Sequence, residues 1–179
     1  SKTYLLTSIA ALVITLCNAK DAFADNPLIS QIYTADPTMF VFEDRMYIIC
    51  THDPDDQNGY DMFDYVLISS DDLVNWTDHG IVFDVNKDSR WANRAYAPTA
   101  IVRNNKVYLY YPDAGGVGIG VAVADRPEGP YNDPLGRPLV DRNTPNASVE
   151  WMFDPDIFVD DDGRAFLYFG GGANGGDNA

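Results

Sequence analysis

The chain has 179 residues, of which 27 are Asp or Glu and 12 are Lys or Arg, giving a formal net charge of −15 at pH 7. That balance excludes nucleic acid and anionic membranes as partners, since both demand a basic face, and it suits a soluble protein acting on a neutral polymer. Only two cysteines occur, Cys17 and Cys50, so no disulfide framework is expected; Cys50, at the end of the apolar run Tyr47-Ile-Ile-Cys50, reads as a packed core thiol rather than a nucleophile.

The first element in chain order is an address. Lys2 precedes an apolar run from Leu5 to Cys17, and Ala22-Phe23-Ala24 forms a small-x-small cleavage site. The run is short for a membrane span, so residues 1–24 read as an export signal and the protein as secreted or periplasmic; a buried N-terminal helix is the alternative. Residues 25–179 read as one domain. The chain stops in a Gly-rich stretch directly after a strong strand, and the expectation is a domain cut short.

Beyond the leader, the chain repeats itself. Asp36-Pro-Thr-Met-Phe-Val-Phe-Glu-Asp-Arg-Met-Tyr, Ala97-Pro-Thr-Ala-Ile-Val-Arg-Asn-Asn-Lys-Val-Tyr and Asp154-Pro-Asp-Ile-Phe-Val-Asp-Asp-Asp-Gly-Arg-Ala-Phe share one plan: a Pro, a short apolar strand, a polar tight turn, then an aromatic-rich strand. The turns Glu43-Asp44, Asn104-Asn105 and Asp161-Asp162-Gly163 use hairpin residues. Two further strands come after the first hairpin, Tyr65–Ser70 and Trp76–Phe83. After the second, Gly118–Ala124 is clear and the piece beyond Gly129-Pro130 is weaker. Strands apolar on nearly every residue are covered on both faces. Units of four antiparallel strands stacked around an axis are propeller blades, so the fold class is an all-β propeller with about two and a half blades present; a β-sandwich is the competing architecture.

The first strand of each blade lines the central channel, so the residue before each repeated Pro faces a common funnel. Those residues are Asp36, Ala97 and Asp154: two carboxylates and a small gap. Asp-Pro can also simply start a turn. Paired carboxylates at a water-accessible pocket are the equipment for splitting a glycosidic bond, one ionised to accept a proton and one held protonated to assist the leaving oxygen. Tyr96 and Phe153, beside Ala97 and Asp154, offer sugar-stacking surfaces, with propeller core as the other reading. His52, following the second strand, is a candidate for the pocket mouth, against a plain loop histidine. No metal ligand is nominated: His52 and His79 lack metal-ligand spacing, and Asp160-Asp161-Asp162-Gly163 lacks the alternating ligands and twelfth-position Glu of a calcium loop. Gly115–Gly120 has no helix or Lys-Ser/Thr behind it and is not a nucleotide loop. Asn146-Ala-Ser148 fits a glycosylation acceptor.

Ala35-Asp36-Pro37, Asp72-Leu-Val-Asn-Trp-Thr-Asp-His-Gly80, Tyr96-Ala97-Pro98, Gly129-Pro130 and Phe153-Asp154-Pro-Asp-Ile-Phe-Val-Asp-Asp-Asp-Gly163 together resemble glycoside hydrolase family 43 over about residues 26–170. The resemblance implies a five-bladed propeller that hydrolyses arabinosyl and xylosyl linkages with inversion. It implies Asp36 as the general base that activates water, and Asp154 as the residue that tunes the acid and orients the sugar. Tyr96 stands where many members carry Trp, and Phe153 matches a hydrophobic wall. The family's general acid, a Glu, lies about one blade further on, beyond residue 179; Glu43, Glu128 and Glu150 do not occupy its place. A chain without that Glu is expected to lose roughly 10²–10⁴ in rate. No cofactor is required, although members can hold a structural calcium in the central channel. The substrates implied are arabinoxylan, xylan or arabinan oligosaccharides. An α-L-arabinofuranosidase on arabinoxylan leads, with a β-xylosidase, an endo-arabinanase or a non-catalytic sugar-binding propeller as alternatives.

Overall fold

The computed structural model describes residues 26–55, 59–113, 115–147 and 149–172; the export signal read at residues 1–24, the Gly-rich end and Ser148 of the glycosylation motif lie outside them. Strands β1 (Tyr33–Phe42), β2 (Arg45–Asp53), β3 (Asp64–Ser70) and β4 (Thr77–Asp84) form one antiparallel sheet in chain order. A single helical turn, α1 (Val85–Asp88), is capped by the Asp84 carboxylate, which accepts from the Asn86 N–H. The second sheet comprises β5 (Thr99–Arg103), β6 (Lys106–Pro112), β7 (Gly118–Ala124) and β8 (Val140–Asp141), and the hairpin β9 (Phe153–Val159) and β10 (Ala165–Gly170) comes after it. The weak fourth piece of the second unit is real but short: a two-residue strand and an isolated bridge between Val123 and Asn132.

Local chemistry explains the hairpins. Glu43 and Asp44 sit at φ 48° and 63°, and Asn104 and Asn105 at 51° and 57°. Two left-handed residues in succession make the tight turn whose twist matches the flanking strands, and short polar side chains tolerate it best. In the third unit Gly163, at φ 82°, takes the left-handed position, and its N–H donates to the Asp160 carbonyl at 2.8 Å. The Asp72–Trp76 stretch is another turn. The Asp72 carboxylate accepts from the Val74 and Asn75 N–H groups at 2.9 and 2.8 Å, and the bonds from Asn75 and Val74 hold its pKa far below the usual carboxylate range.

The first strands of successive units touch, β1 with β5 and β5 with β9, so the sheets fan out from a common line. This is the blade arrangement of a β-propeller: two blades and the inner half of a third, as the repeat implies. Between the first two blades Phe40, Tyr47, Tyr65, Leu67 and Phe83 meet Leu109, Tyr111 and Tyr131 in one buried cluster, with the Phe83 and Tyr111 rings 4.8 Å apart. A smaller cluster of Ile119, Ala147 and Met152 joins blade two to the third hairpin through Leu167 and Phe169. Gly120 is required by this packing, since a Cβ there would stand 2.5 Å from the buried Tyr111 ring. Cys50 is a core thiol, pushed up to about 11 chiefly by burial, with the Asp36 charge adding to it.

The expectation that the apolar strands are covered on both faces is corrected at the two ends of the blade stack. Met39 and Val41 on β1 are 65% and 53% exposed, and Phe158 and Tyr168 on the third hairpin 53% and 59%. Side chains alternate along a strand. Phe40 and Phe42 enter the inter-blade core while their neighbours point away from it, where no sheet stands among the described residues.

Candidate active site

The site is built at the start of the first strand of each blade. On β1, pairing with β2 slips between Ala35 and Thr38, and the extra residue of this bulge carries Asp36 at φ 51° just before Pro37. On β9 the pairing slips opposite Phe153, and Asp154 sits at φ 49° just before Pro155. Ala97, the equivalent residue of blade two, has no positive φ. A left-handed non-glycine residue costs about 1–3 kcal/mol and persists only where its surroundings enforce it. Among the three residues that precede the repeated Pro, it occurs at the two carboxylates and not at Ala97. Bulges re-aim side chains, and both re-aimed residues face the same hollow.

That hollow is a cavity of about 340 Å³ lined by Asp36, Ala97 and Asp154 and walled by Tyr96, Phe153, Trp151, Tyr60 and Met62. It lies at the lower end of ligand-cavity sizes, and it combines apolar walls with two convergent charged groups. The Phe153 ring stands 5.4 Å from Tyr96 and 5.5 Å from Trp151, both steeply inclined, so three aromatic rings form one continuous wall. Ala97 keeps the floor open, as its size predicts.

Buried polar contacts fix these parts. The Tyr65 hydroxyl, fully buried between the blades, donates to the Tyr96 carbonyl at 2.5 Å. The Thr51 hydroxyl donates to the Ala35 carbonyl at 3.0 Å, beside Asp36. Trp151 is held by its N–H donating to the Gly171 carbonyl at 3.1 Å, and a Cβ at Gly171 would fall 1.5 Å from the Trp151 carbonyl oxygen. Only glycine lets the chain pass there.

Burial raises the Asp36 pKa, and the charges of Asp154 and Asp53 raise it further. A carboxylate whose pKa is raised in this way is a stronger base in its ionised form, which suits proton abstraction from water.

Asp36, Tyr96, Ala97, Phe153 and Asp154 are therefore brought together. His52 does not line this cavity. It lies within β2, opposite Thr34, and alternation turns it to the face opposite Thr51 and Asp53; its Nδ1 contacts Asp64 Oδ1 at 2.9 Å. Sequence reasoning missed Tyr60, Met62 and Trp151. Trp151 carried a signal, an aromatic residue three positions before the repeated Asp-Pro. Tyr60 and Met62 come from the connection between β2 and β3, which no repeat marks. Among the described residues no group of three or more His, Cys, Asp or Glu is placed to hold a metal ion.

A family model for glycosyl hydrolases family 43 matches residues 24–179. The chain is 39% identical to an arabinoxylan arabinofuranohydrolase of Bacillus subtilis, over 88% of this chain and 35% of the relative. It is 43% identical to xylosidase/arabinosidase 43A of Humicola insolens, over 81% of this chain and 46% of the relative. Among solved structures, an α-L-arabinofuranosidase from Clostridium thermocellum matches with a TM-score of 0.68 at 53% identity, over 79% of this chain and 48% of that one. The chain thus spans between a third and a half of the length of these relatives. With its repeat, its blades and its paired aspartates in one cavity, this chain belongs to glycosyl hydrolases family 43.

Proposed function

We propose that the chain supplies the base side of an inverting glycoside hydrolase site that removes α-L-arabinofuranosyl units from arabinoxylan. The observation that carries this reading is the pair Asp36 and Asp154, held in matching left-handed bulges of blades one and three and lining one aromatic-walled cavity. Asp36 takes a proton from water, and the water attacks the anomeric carbon from the face opposite the leaving oxygen. Inversion results, because a water must fit between base and acid, whose carboxyl groups then stand about 6.5–9.5 Å apart. Asp154 orients the sugar and, by its charge, helps to keep a neighbouring acid protonated. The acid itself is a Glu outside this chain. Tyr96, Phe153 and Trp151 pack against the sugar's apolar face. The same reading includes export through the leader at residues 1–24, as suits an enzyme whose substrate is a cell-wall polymer.

The arabinofuranosidase assignment is supported by the arabinoxylan arabinofuranohydrolase and the α-L-arabinofuranosidase among the similar proteins. A β-xylosidase is the second reading, supported by the dual name of the Humicola insolens relative. Incubating the full-length protein with arabinoxylan decides between them: release of L-arabinose is expected, release of D-xylose alone would establish the xylosidase, and release of neither would remove the hydrolase reading.

A further inference from the structure

The wall of the cavity contributed by Tyr60 and Met62 belongs to blade one, whereas Tyr96 and Ala97 lead into blade two, and the structure ties the two segments together through one side chain. The base of the tie is Asp113, a buried carboxylate whose Oδ1 accepts from the Asn93 N–H at 2.7 Å and the Arg94 N–H at 3.4 Å, and whose Oδ2 accepts from the Gly115 N–H at 2.9 Å. Anchored there, Arg94 reaches across to blade one. Its Nε donates to Asp61 Oδ1 at 2.8 Å, and its guanidinium lies over the Phe63 ring at 4.3 Å from the centroid. Nη1 is occupied by the Asn93 carbonyl at 2.8 Å. One residue further on, the Ala95 N–H donates to the Met62 carbonyl at 2.9 Å. The contacts alternate along both segments: Asp61 and Phe63 hold Arg94, while Tyr60 and Met62 between and beside them face the cavity.

We propose that Arg94 is a positioning residue that sets the width of the cavity: by clamping Asp61 and Phe63 it holds the Tyr60–Met62 wall at a fixed distance from Tyr96 and Ala97, and so it selects which sugar reaches Asp36 and Asp154. The proposal rests on the glycosidase reading of the site. Arginine suits the task because its planar fork can donate to a carboxylate and stack on an aromatic ring at the same time, which an ammonium cannot do. A five-membered arabinofuranosyl ring and a six-membered xylopyranosyl ring differ in shape rather than in polarity. A wall displaced by a fraction of an ångström therefore acts on the choice between them.

The test uses the full-length protein and its Arg94→Ala, Asp61→Ala, Arg94→Ala/Asp61→Ala and Arg94→Lys variants, assayed on 4-nitrophenyl α-L-arabinofuranoside and 4-nitrophenyl β-D-xylopyranoside. Misplacement of a binding wall is expected to change the ratio of kcat/KM for the two substrates by about 10- to 100-fold, chiefly through KM. The double variant should do no more than Arg94→Ala alone, because the Asp61 contact is already lost with Arg94. Arg94→Lys, which keeps the charge opposite Asp61, should recover part of the change. A role in fold stability alone would lower the active fraction and depress both substrates equally; an unchanged ratio, or additive effects of the two substitutions, overturns the proposal. Should the unsubstituted protein hydrolyse neither substrate, the proposed function fails instead, and the clamp is then judged by calorimetric titration of L-arabinose and D-xylose. A shift in their relative affinity in Arg94→Ala supports it, and identical affinities across all variants overturn it.

Discussion

At the scale of single residues, the chemistry is concentrated in two aspartates whose backbones are as unusual as their surroundings. Asp36→Asn preserves a side chain that tolerates a left-handed φ but cannot accept a proton from water, so turnover should vanish while sugar binding survives; near-normal activity would remove Asp36 from the mechanism. Asp36→Ala should lose turnover equally, but it places a plain Cβ at φ 51° and should be less stable than the Asn variant by roughly 1–2 kcal/mol in denaturant unfolding. Charge acts in the opposite sense. Because the folded-state pKa of Asp36 is raised, the folded chain holds this proton more tightly than the unfolded one. The stability so gained is present below the unfolded pKa and is lost as pH rises through the folded value. At pH 7 the charged Asp36 is therefore net destabilising, and Asp36→Asn should melt no lower than the native sequence. The same logic fixes a sign for catalysis. The acidic limb of kcat/KM tracks deprotonation of Asp36, whose pKa is raised by burial first and then by the Asp154 charge. In the full-length protein Asp154→Asn should move that limb to lower pH in the residual activity; a limb that stays or rises would exclude the coupling.

At the scale of elements, the blade is a unit whose inner strand carries function and whose remaining strands carry packing. The hairpin turns were legible because two-residue turns with both φ positive admit few residue types, and Glu-Asp and Asn-Asn met that demand at the same place in the first two repeats, while Gly163 took the left-handed position in the third. The bulges at Asp36 and Asp154 were not legible. Pro37 and Pro155 marked the positions, but an inserted residue is defined by its partner strand, which lies elsewhere in the chain. Packing between blades should be sensitive to small additions. Gly120→Ala would press a methyl group into Tyr111, whose hydroxyl accepts from Trp91 Nε1 at 3.1 Å and donates to Asp133 at 3.0 Å. A loss of about 1–3 kcal/mol is expected in thermal or denaturant unfolding, and an unaltered midpoint would show that the blade interface can yield.

At the scale of the whole molecule, both outer faces of the blade stack are apolar. Met39 and Val41 occupy one, Phe158 and Tyr168 the other. Exposed apolar patches of this kind mark surfaces that another part of a protein covers or that drive association. Residues 25–179 produced alone should bind the dye 8-anilinonaphthalene-1-sulfonate strongly, and Val41→Lys combined with Phe158→Lys should reduce that fluorescence. Weak binding by the unsubstituted chain would show that these faces are closed in solution. The strong acidic excess, −15 over the full sequence, opposes self-association of the folded blades but is screened by salt, so the dye signal is best read at low ionic strength.

The residues in their order determined the class, the repeat and the place of the two aspartates, because strand alternation, tight-turn chemistry and a recurring Asp-Pro or Ala-Pro are local properties that the chain writes out directly. Tertiary structure alone decided which neighbours share the cavity. It brought in Tyr60, Met62 and Trp151 and left out His52, because a side chain's destination depends on the face its strand presents and on what another blade places opposite. It also decided the Arg94 clamp, whose partners Asp61 and Phe63 lie about 30 residues earlier. No short-range pattern records that distance; only the packing of one blade against the next closes it.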